Sequence, residues 1–259
     1  MRIPLVILLT LALAGCTNSS SDSNDSGSGQ LSGSCSLKIT GGIDCPNGDG
    51  PVALIEGRIA GQLAAVCSGT LIAPNAVLSA AHCVEGIPSD AVIKLGSREV
   101  QVTGRVRHPS YTGDPAQVDV GIFYIAPQND ITPIPFYVTQ SVSIGDDIVL
   151  MGYGANDSGL SNPERDPNLG PSRADMSVVD LDSEVIAAVR IQGGSGGCEG
   201  DSGGPVLAQN PDGFWGIVGV IVGGTTATCE AGTINVFSNM QNGPAIDWVL
   251  SKISGVGLI

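Results

Sequence analysis

Short apolar runs recur along the chain, and turn residues separate them. They read "QLAAVCSGTLI" (62–72), "AVIKLG" (91–96), "EVQVTGRVR" (99–107), "VGIFYI" (120–125), "DIVLMGYG" (147–154), "SVVDL" (177–181), "GIVGVIV" (216–222) and "TINVF" (233–237). Runs this short, rich in β-branched residues, bury their apolar side chains by pairing into sheets. The chain holds 37 glycines and 16 prolines, which break up any long helical pattern. The expectation is an all-β chain. One segment departs from it. In "GPAIDWVLSKI" (243–253) the apolar residues Ile246, Val249, Leu250 and Ile253 follow a helical spacing and predict one amphipathic helix near the C-terminus.

The proline-rich stretch "APQNDITPIPFYVTQ" (126–140) reads as a crossing between two halves of the fold. With 42% apolar and 14% charged residues in 259, the chain can build a sizeable core. Its net charge of −14 argues against nucleic acid as a partner, because phosphates demand a basic surface.

The start of the chain has a different character. Arg2 precedes an apolar run from Leu5 to Leu13, followed by Ala14-Gly15-Cys16. A short apolar run with a positive start reads as an export signal and is too short to span a bilayer. "LAGC" is similar to a bacterial lipobox. On that reading residues 1–15 are a lipoprotein signal peptide and Cys16 carries the lipid. Ordinary signal cleavage and an uncleaved anchor are the alternatives. Thr17 after Cys16 would favour the outer membrane in a Gram-negative cell. Residues 17–34 are almost all Ser, Gly, Asp and Asn, with too little apolar surface to fold, and read as a flexible tether.

Six further cysteines remain, Cys35, Cys45, Cys67, Cys83, Cys198 and Cys229. An even number in an exported chain suggests three disulfides, with the pairing open. No C-x-x-C pair occurs, so no metal site is expected.

Candidate chemistry rests on few residues. A serine hydroxyl is a poor nucleophile until a base takes its proton. The chain has only two histidines to supply a base near neutral pH. His82 sits in a small-residue turn, "SAAHCV" (79–84), after an apolar run. His108, in "RHPSY" (107–111), reads as an exposed strand end with a structural role. Asp119 begins the apolar strand run in "VDVGIFYI" (118–125), where a carboxylate can be buried beside an imidazole; on the residues alone a solvated strand start is the stronger reading. Asp114, in the turn "YTGDP", is a weaker candidate. Ser202 lies in "GCEGDSGGPV" (197–206), whose glycines allow a sharp turn and close approach to a substrate. A phosphate cradle is disfavoured, since no Gly-Lys-Ser/Thr follows.

Together "SAAHCV", "VDVGIFYI" and "GCEGDSGGPV" resemble the chymotrypsin-like, trypsin-fold serine endopeptidases, with the resemblance running from Ile39 to the C-terminus. It implies two antiparallel six-stranded Greek-key β-barrels with a C-terminal helix, in a protease domain over 39–259. It also implies a triad of His82, Asp119 and Ser202, with the amides of Gly200 and Ser202 as oxyanion donors. In the family Cys67 would pair with Cys83, and Cys198 with Cys229; Cys35 is then expected to pair with Cys45. No metal or other cofactor is implied.

By the same resemblance Gly196 forms the base of the primary substrate pocket, where Lys/Arg-specific members carry Asp. Gly224 and Gly232 would line it. An open, uncharged slot predicts cleavage after aromatic or apolar residues. Glu199 or Glu230 could recruit a cation instead and turn the preference to Lys or Arg. "ITGG", from Ile39, is similar to the N-terminus that activating proteolysis creates in the family. A cut after Lys38 by a second, trypsin-like protease would free the amine of Ile39 to pair with Asp201, making residues 16–38 a lipidated linker and propeptide. The expected partners are protein or peptide substrates, the activating protease and a membrane reached through Cys16; the protein is expected to be a monomer, exported and lipid-anchored or released outside the cell. The competing reading is a surface binding protein on a protease scaffold with weak catalysis.

Overall fold

The computed structural model describes residues 50–114, 118–155, 171–190, 196–225, 229 and 232–259. The expectations at Cys16, Cys35, Lys38, Ile39, Cys45 and Glu230 lie outside the described residues.

Two antiparallel sheets carry the chain. The first comprises β1 (Val52–Ile59), β2 (Gln62–Ala73), β3 (Ala76–Ser79), β4 (Asp90–Leu95), β5 (Arg98–Val100), β6 (Val102–Arg107) and β7 (Gly121–Ile125). Its order is β5-β4-β1-β2-β3-β7-β6. A short helix, α1 (Ala81–Gly86), follows β3. The second sheet is a closed barrel of β8 (Asp147–Gly152), β9 (Ser172–Leu181), β10 (Val185–Arg190), β11 (Pro205–Gln209), β12 (Trp215–Gly224) and β13 (Asn235–Asn239), in the order β10-β13-β12-β11-β8-β9. Helix α2 (Pro244–Lys252) comes after it. The all-β reading and the C-terminal helix both hold.

The first sheet has seven strands where six were expected. The run at 99–107 bends at Gln101, so that β5 pairs with β4 at one edge and β6 pairs with β7 at the other. One bent strand thus serves both edges of the sheet, and counting it once restores six. The turn from β1 to β2 has Ala60 at φ 50° and Gly61 at φ 80°. Two left-handed residues match the twist of a tight hairpin.

Packing explains the strand positions. Ala76, Val77 and Leu78 of β3 are fully buried, between β2 on one side and β7 on the other. Phe123 of β7, Phe136 of the crossing segment and Phe237 of β13 are fully buried too. Each such side chain contributes about 1.5–3 kcal/mol through burial. The 126–140 segment does leave the first sheet and lead to β8 of the barrel. On the way Phe136 bridges to Ile217 of β12. Ile246 and Val249 of α2 and Ile253 just after it are buried as predicted, whereas Leu250 is exposed and Trp248 takes its place in the core.

His108 differs from its expected exposed position. It is 4% exposed and packs edge-on against Trp248, with ring centroids 5.2 Å apart. Its Nδ1 accepts the amide of Ser110 at 3.2 Å. The histidine ties the end of β6 to α2, which keeps it in a structural role.

Candidate active site

His82 is the second residue of α1, not part of a turn as expected. Its backbone amide belongs to the first turn of that helix, where amides lack an intrahelical acceptor. Asp119 supplies one. Its Oδ1 accepts the amide of His82 at 2.9 Å, and its Oδ2 lies 2.6 Å from His82 Nδ1. The two-point contact holds the ring by both its backbone and its side chain. Asp119 is 1% exposed. A carboxylate accepts only, so Nδ1 carries the proton and Nε2 keeps its lone pair.

Asp119 does not begin a strand. It lies two positions before β7, and Ser238 of β13 holds it there. The Asp119 amide donates to Ser238 Oγ at 3.2 Å, and that hydroxyl donates back to the Asp119 carbonyl at 3.3 Å. Ser238 therefore fastens the imidazole's partner to the second barrel.

Ser202 lies just before β11. Its hydroxyl donates to the Val222 carbonyl at 3.2 Å, and its own carbonyl accepts the Ser68 amide at 2.8 Å. The glycines around it answer to space. Gly203 has φ 85°, and a Cβ there would run into Ser79 Oγ and the Ser68 carbonyl. Gly200 has φ 93°, in the left-handed region that glycine tolerates. Among the described residues, no hydrogen bond uses the amide of Gly200 or of Ser202. Two donors without acceptors, on either side of one residue, can bind an oxyanion. Asp201, between them, is 3% exposed, and its carboxylate accepts the amides of Gly154 at 2.7 Å and Cys198 at 2.8 Å.

Disulfides frame both halves of the site. Cys67 is bonded to Cys83, next to His82, and Cys198 to Cys229, next to the Ser202 turn. Cys67, His82 and Cys83 sit close enough to suggest a metal cluster. The two sulfurs are bonded to each other, so neither can offer a thiolate.

Among the expected pocket residues, Gly196 is buried, Gly224 is exposed at the end of β12, Gly232 is exposed at φ 87° and Glu199 is exposed. Asn235 joins this set without having been expected. It is 0% exposed and pairs with Gly224 across β12 and β13. Its Oδ1 accepts the Gly197 amide at 2.9 Å, and its Nδ2 donates to the Thr233 carbonyl at 3.1 Å. A Cβ on Gly196 would collide with this carboxamide. Asp114 is exposed, in the irregular stretch after Tyr111.

Comparison with known proteins identifies the family. The Trypsin family model matches residues 39–249. Trypsin II-P29 of Gallus gallus is 27% identical over 243 residues, covering 84% of this chain and 90% of that protein. Phenoloxidase-activating enzyme 1 of Spodoptera litura is 26% identical over 227 residues, covering 73% of this chain and 59% of its own. Transmembrane protease serine 9 of Rattus norvegicus is 28% identical, and the chain spans 22% of its length. With a family match over most of its length, the chain belongs to the trypsin family of chymotrypsin-like serine endopeptidases.

Proposed function

We propose that this chain hydrolyses peptide bonds through an acyl-enzyme, with Ser202 as nucleophile and His82 as general base. The observation that carries this reading is the two-point contact of Asp119 with His82, which leaves Nε2 as the basic nitrogen. In the first step the Ser202 hydroxyl gives its proton to Nε2 as Oγ bonds to the substrate carbonyl carbon. The carbonyl π pair moves to oxygen, and the amides of Gly200 and Ser202 receive that charge. Buried Asp119 stabilises the imidazolium. The intermediate collapses, Nε2 returns the proton to the departing amine, and an acyl-Ser202 ester remains. Water repeats the sequence and frees Ser202. One missing oxyanion donor costs about 2.7–4 kcal/mol of barrier in such a site. Labelling with a fluorophosphonate tests the reading: covalent capture of wild type and none of Ser202→Ala is expected. A properly processed wild type that stays unlabelled would make the chain a binding protein on a protease scaffold.

The primary specificity is proposed to be aromatic or apolar. What supports this is the neutral character of Gly196, which the family resemblance sets at the base of the pocket, and of Asn235 packed against it. An ammonium buried there without a partner is costly, whereas an aromatic ring gains from burial.

The chain is also proposed to be made as a zymogen, exported and held by a lipid on Cys16. Cleavage after Lys38 would free an ammonium at Ile39 to join the amides that meet Asp201, and a Cys35–Cys45 bond would keep the lipidated segment attached. What supports this is the pattern of "LAGC" and "KITGG" together with the burial of Asp201. Its partners would be polypeptide substrates, a trypsin-like activator and the membrane.

A further inference from the structure

Ser68 follows the half-cystine Cys67 on β2 and is 0% exposed. Every polar atom it has is engaged at or beside the proposed oxyanion site. Its amide donates to the Ser202 carbonyl at 2.8 Å. Its hydroxyl donates to the Gly200 carbonyl at 2.8 Å and accepts the amide of Tyr153, just beyond β8, at 2.8 Å. Its carbonyl accepts the Ser79 hydroxyl at 2.8 Å. One residue of the first sheet thus grips both ends of the 200–202 turn, which belongs to the second barrel. The Cys67–Cys83 bond anchors that residue from the next position.

We infer that the Ser68 hydroxyl is a positioning group for oxyanion stabilisation, an inference that rests on the serine-endopeptidase reading above. Gly200 sits at φ 93°, and glycine's backbone has little intrinsic preference for one peptide orientation over another. Something outside the turn must therefore hold it. Among the described residues, the Ser68 hydroxyl is the only donor to the Gly200 carbonyl. Fixing that carbonyl fixes the peptide plane on one side of Gly200, and with it the frame from which the Gly200 amide projects. Ser68 touches no reacting atom, so it acts through Gly200. The geometry also makes the hydroxyl costly to lose: with alanine, the Gly200 carbonyl and the Tyr153 amide are buried without it.

The experiment compares wild type, Ser68→Ala and Ser68→Thr as processed protein, each titrated with fluorophosphonate so that rates refer to active sites. Wild type must label, or the underlying reading fails rather than this one. For Ser68→Ala, kcat on a peptide amide should fall by about tenfold or more, a fraction of the ~10²–10³ lost with an oxyanion donor itself. KM and the pH midpoint of kcat/KM should stay put, since neither pocket nor His82 is touched. Affinity for a peptide aldehyde, whose adduct carries the oxyanion, should fall in step with kcat. Thr keeps the hydroxyl and should recover most of the rate. A merely structural serine would lower the melting temperature and the titratable fraction and leave kcat per site unchanged; that result overturns the inference. Should Ser68→Ala not fold, a crystal structure of the wild-type aldehyde adduct decides. The Ser68 hydroxyl on the Gly200 carbonyl beside an oxyanion held by the Gly200 amide is the expected result, and a Gly200 carbonyl turned away from Ser68 overturns it.

Discussion

The carboxamide of Asn235 stands where a side chain on Gly196 would have to go. Its Nδ2 and Cγ would both collide with a Cβ at that position, and its Oδ1 is already committed to the Gly197 amide at 2.9 Å. Two residues 39 positions apart in the chain therefore share one space, and only one of them can fill it.

That exclusion predicts the outcome of a specificity swap. Gly196→Asp alone should lose activity on every substrate without gaining any on Lys or Arg, because the new carboxylate displaces Asn235. Gly196→Asp with Asn235→Gly should raise kcat/KM for Lys relative to Phe by about tenfold or more. Peptide substrates varied at the residue before the cleaved bond measure both. A single Gly196→Asp variant with a strong Lys preference would show that Asn235 is not in the way.

The Asp119 carboxylate accepts from Nδ1 of His82, so an amide in its place should impose the wrong tautomer. Asp119→Asn can turn its NH₂ toward Nδ1, which then holds the lone pair while Nε2 carries the proton. The family's triad loses about 10⁴ in kcat on this exchange, and the same order is expected here. Steady-state hydrolysis with the variant, against Ser202→Ala as background, checks it.

Stability should fall on mild acidification because of His108. Burial lowers its pKa below the ordinary value, and the opposing effects of the Pro244 carbonyl and Glu184 do not make up the difference. The folded chain then binds fewer protons than the unfolded one over the interval between the two pKa values. Its contribution is whole above the unfolded value of about 6.5 and is lost as pH falls from there through the folded pKa. Melting temperatures between pH 8 and pH 5 should show this slope, and His108→Phe should flatten it. Burial works against the Glu56 carboxylate, but Lys94 and Arg58 hold its pKa below the ordinary value, so its contribution is present above about 4.5 and is lost as pH falls from there.

Trypsin treatment of the purified full-length protein should raise its activity and expose Ile39 as a new N-terminus. Residues 16–38 should leave only when reductant is added. Full activity in a Lys38→Gln, Ile39→Pro variant would remove the switch; loss of the segment without reductant would remove the Cys35–Cys45 bond.

Replacing Cys16 with Ser should move the protein from the membrane fraction to a soluble one. Unchanged membrane association would show that the lipid reading of "LAGC" is wrong.

What could be read from the sequence was the chemistry carried by rare residues in glycine-rich surroundings. His82 stands out because the chain has only two histidines, and Ser202 because its glycines tolerate close approach; Asp119 is singled out only by the family resemblance of "DVGI". Residues that act through register stayed hidden. Asn235 in "TINVF" reads as one polar position of a strand; only its place opposite Gly224 and against Gly196 gives it meaning. Ser68 and Ser238 likewise read as strand serines until each meets its partner from the other half of the fold, Gly200 for Ser68 and Asp119 for Ser238. Helix α1 is too short to show a period, and β10 hides in the alanine-rich "VIAAVR". The bend at Gln101 has no turn residue to announce it, since its cause is the need of one strand to serve two edges.

The crossing segment between β7 and β8 divides the chemistry as well as the fold. His82 and Asp119 precede it; Ser202, Gly200 and Asn235 follow it. Severed in that stretch, the chain would yield one piece with the proposed base and another with the proposed nucleophile, and on that proposal neither would turn over a substrate alone. Hydrolysis would return only on reassembly, so that the split pair would serve as its own reporter, with product formation counting the fraction of halves that have found each other.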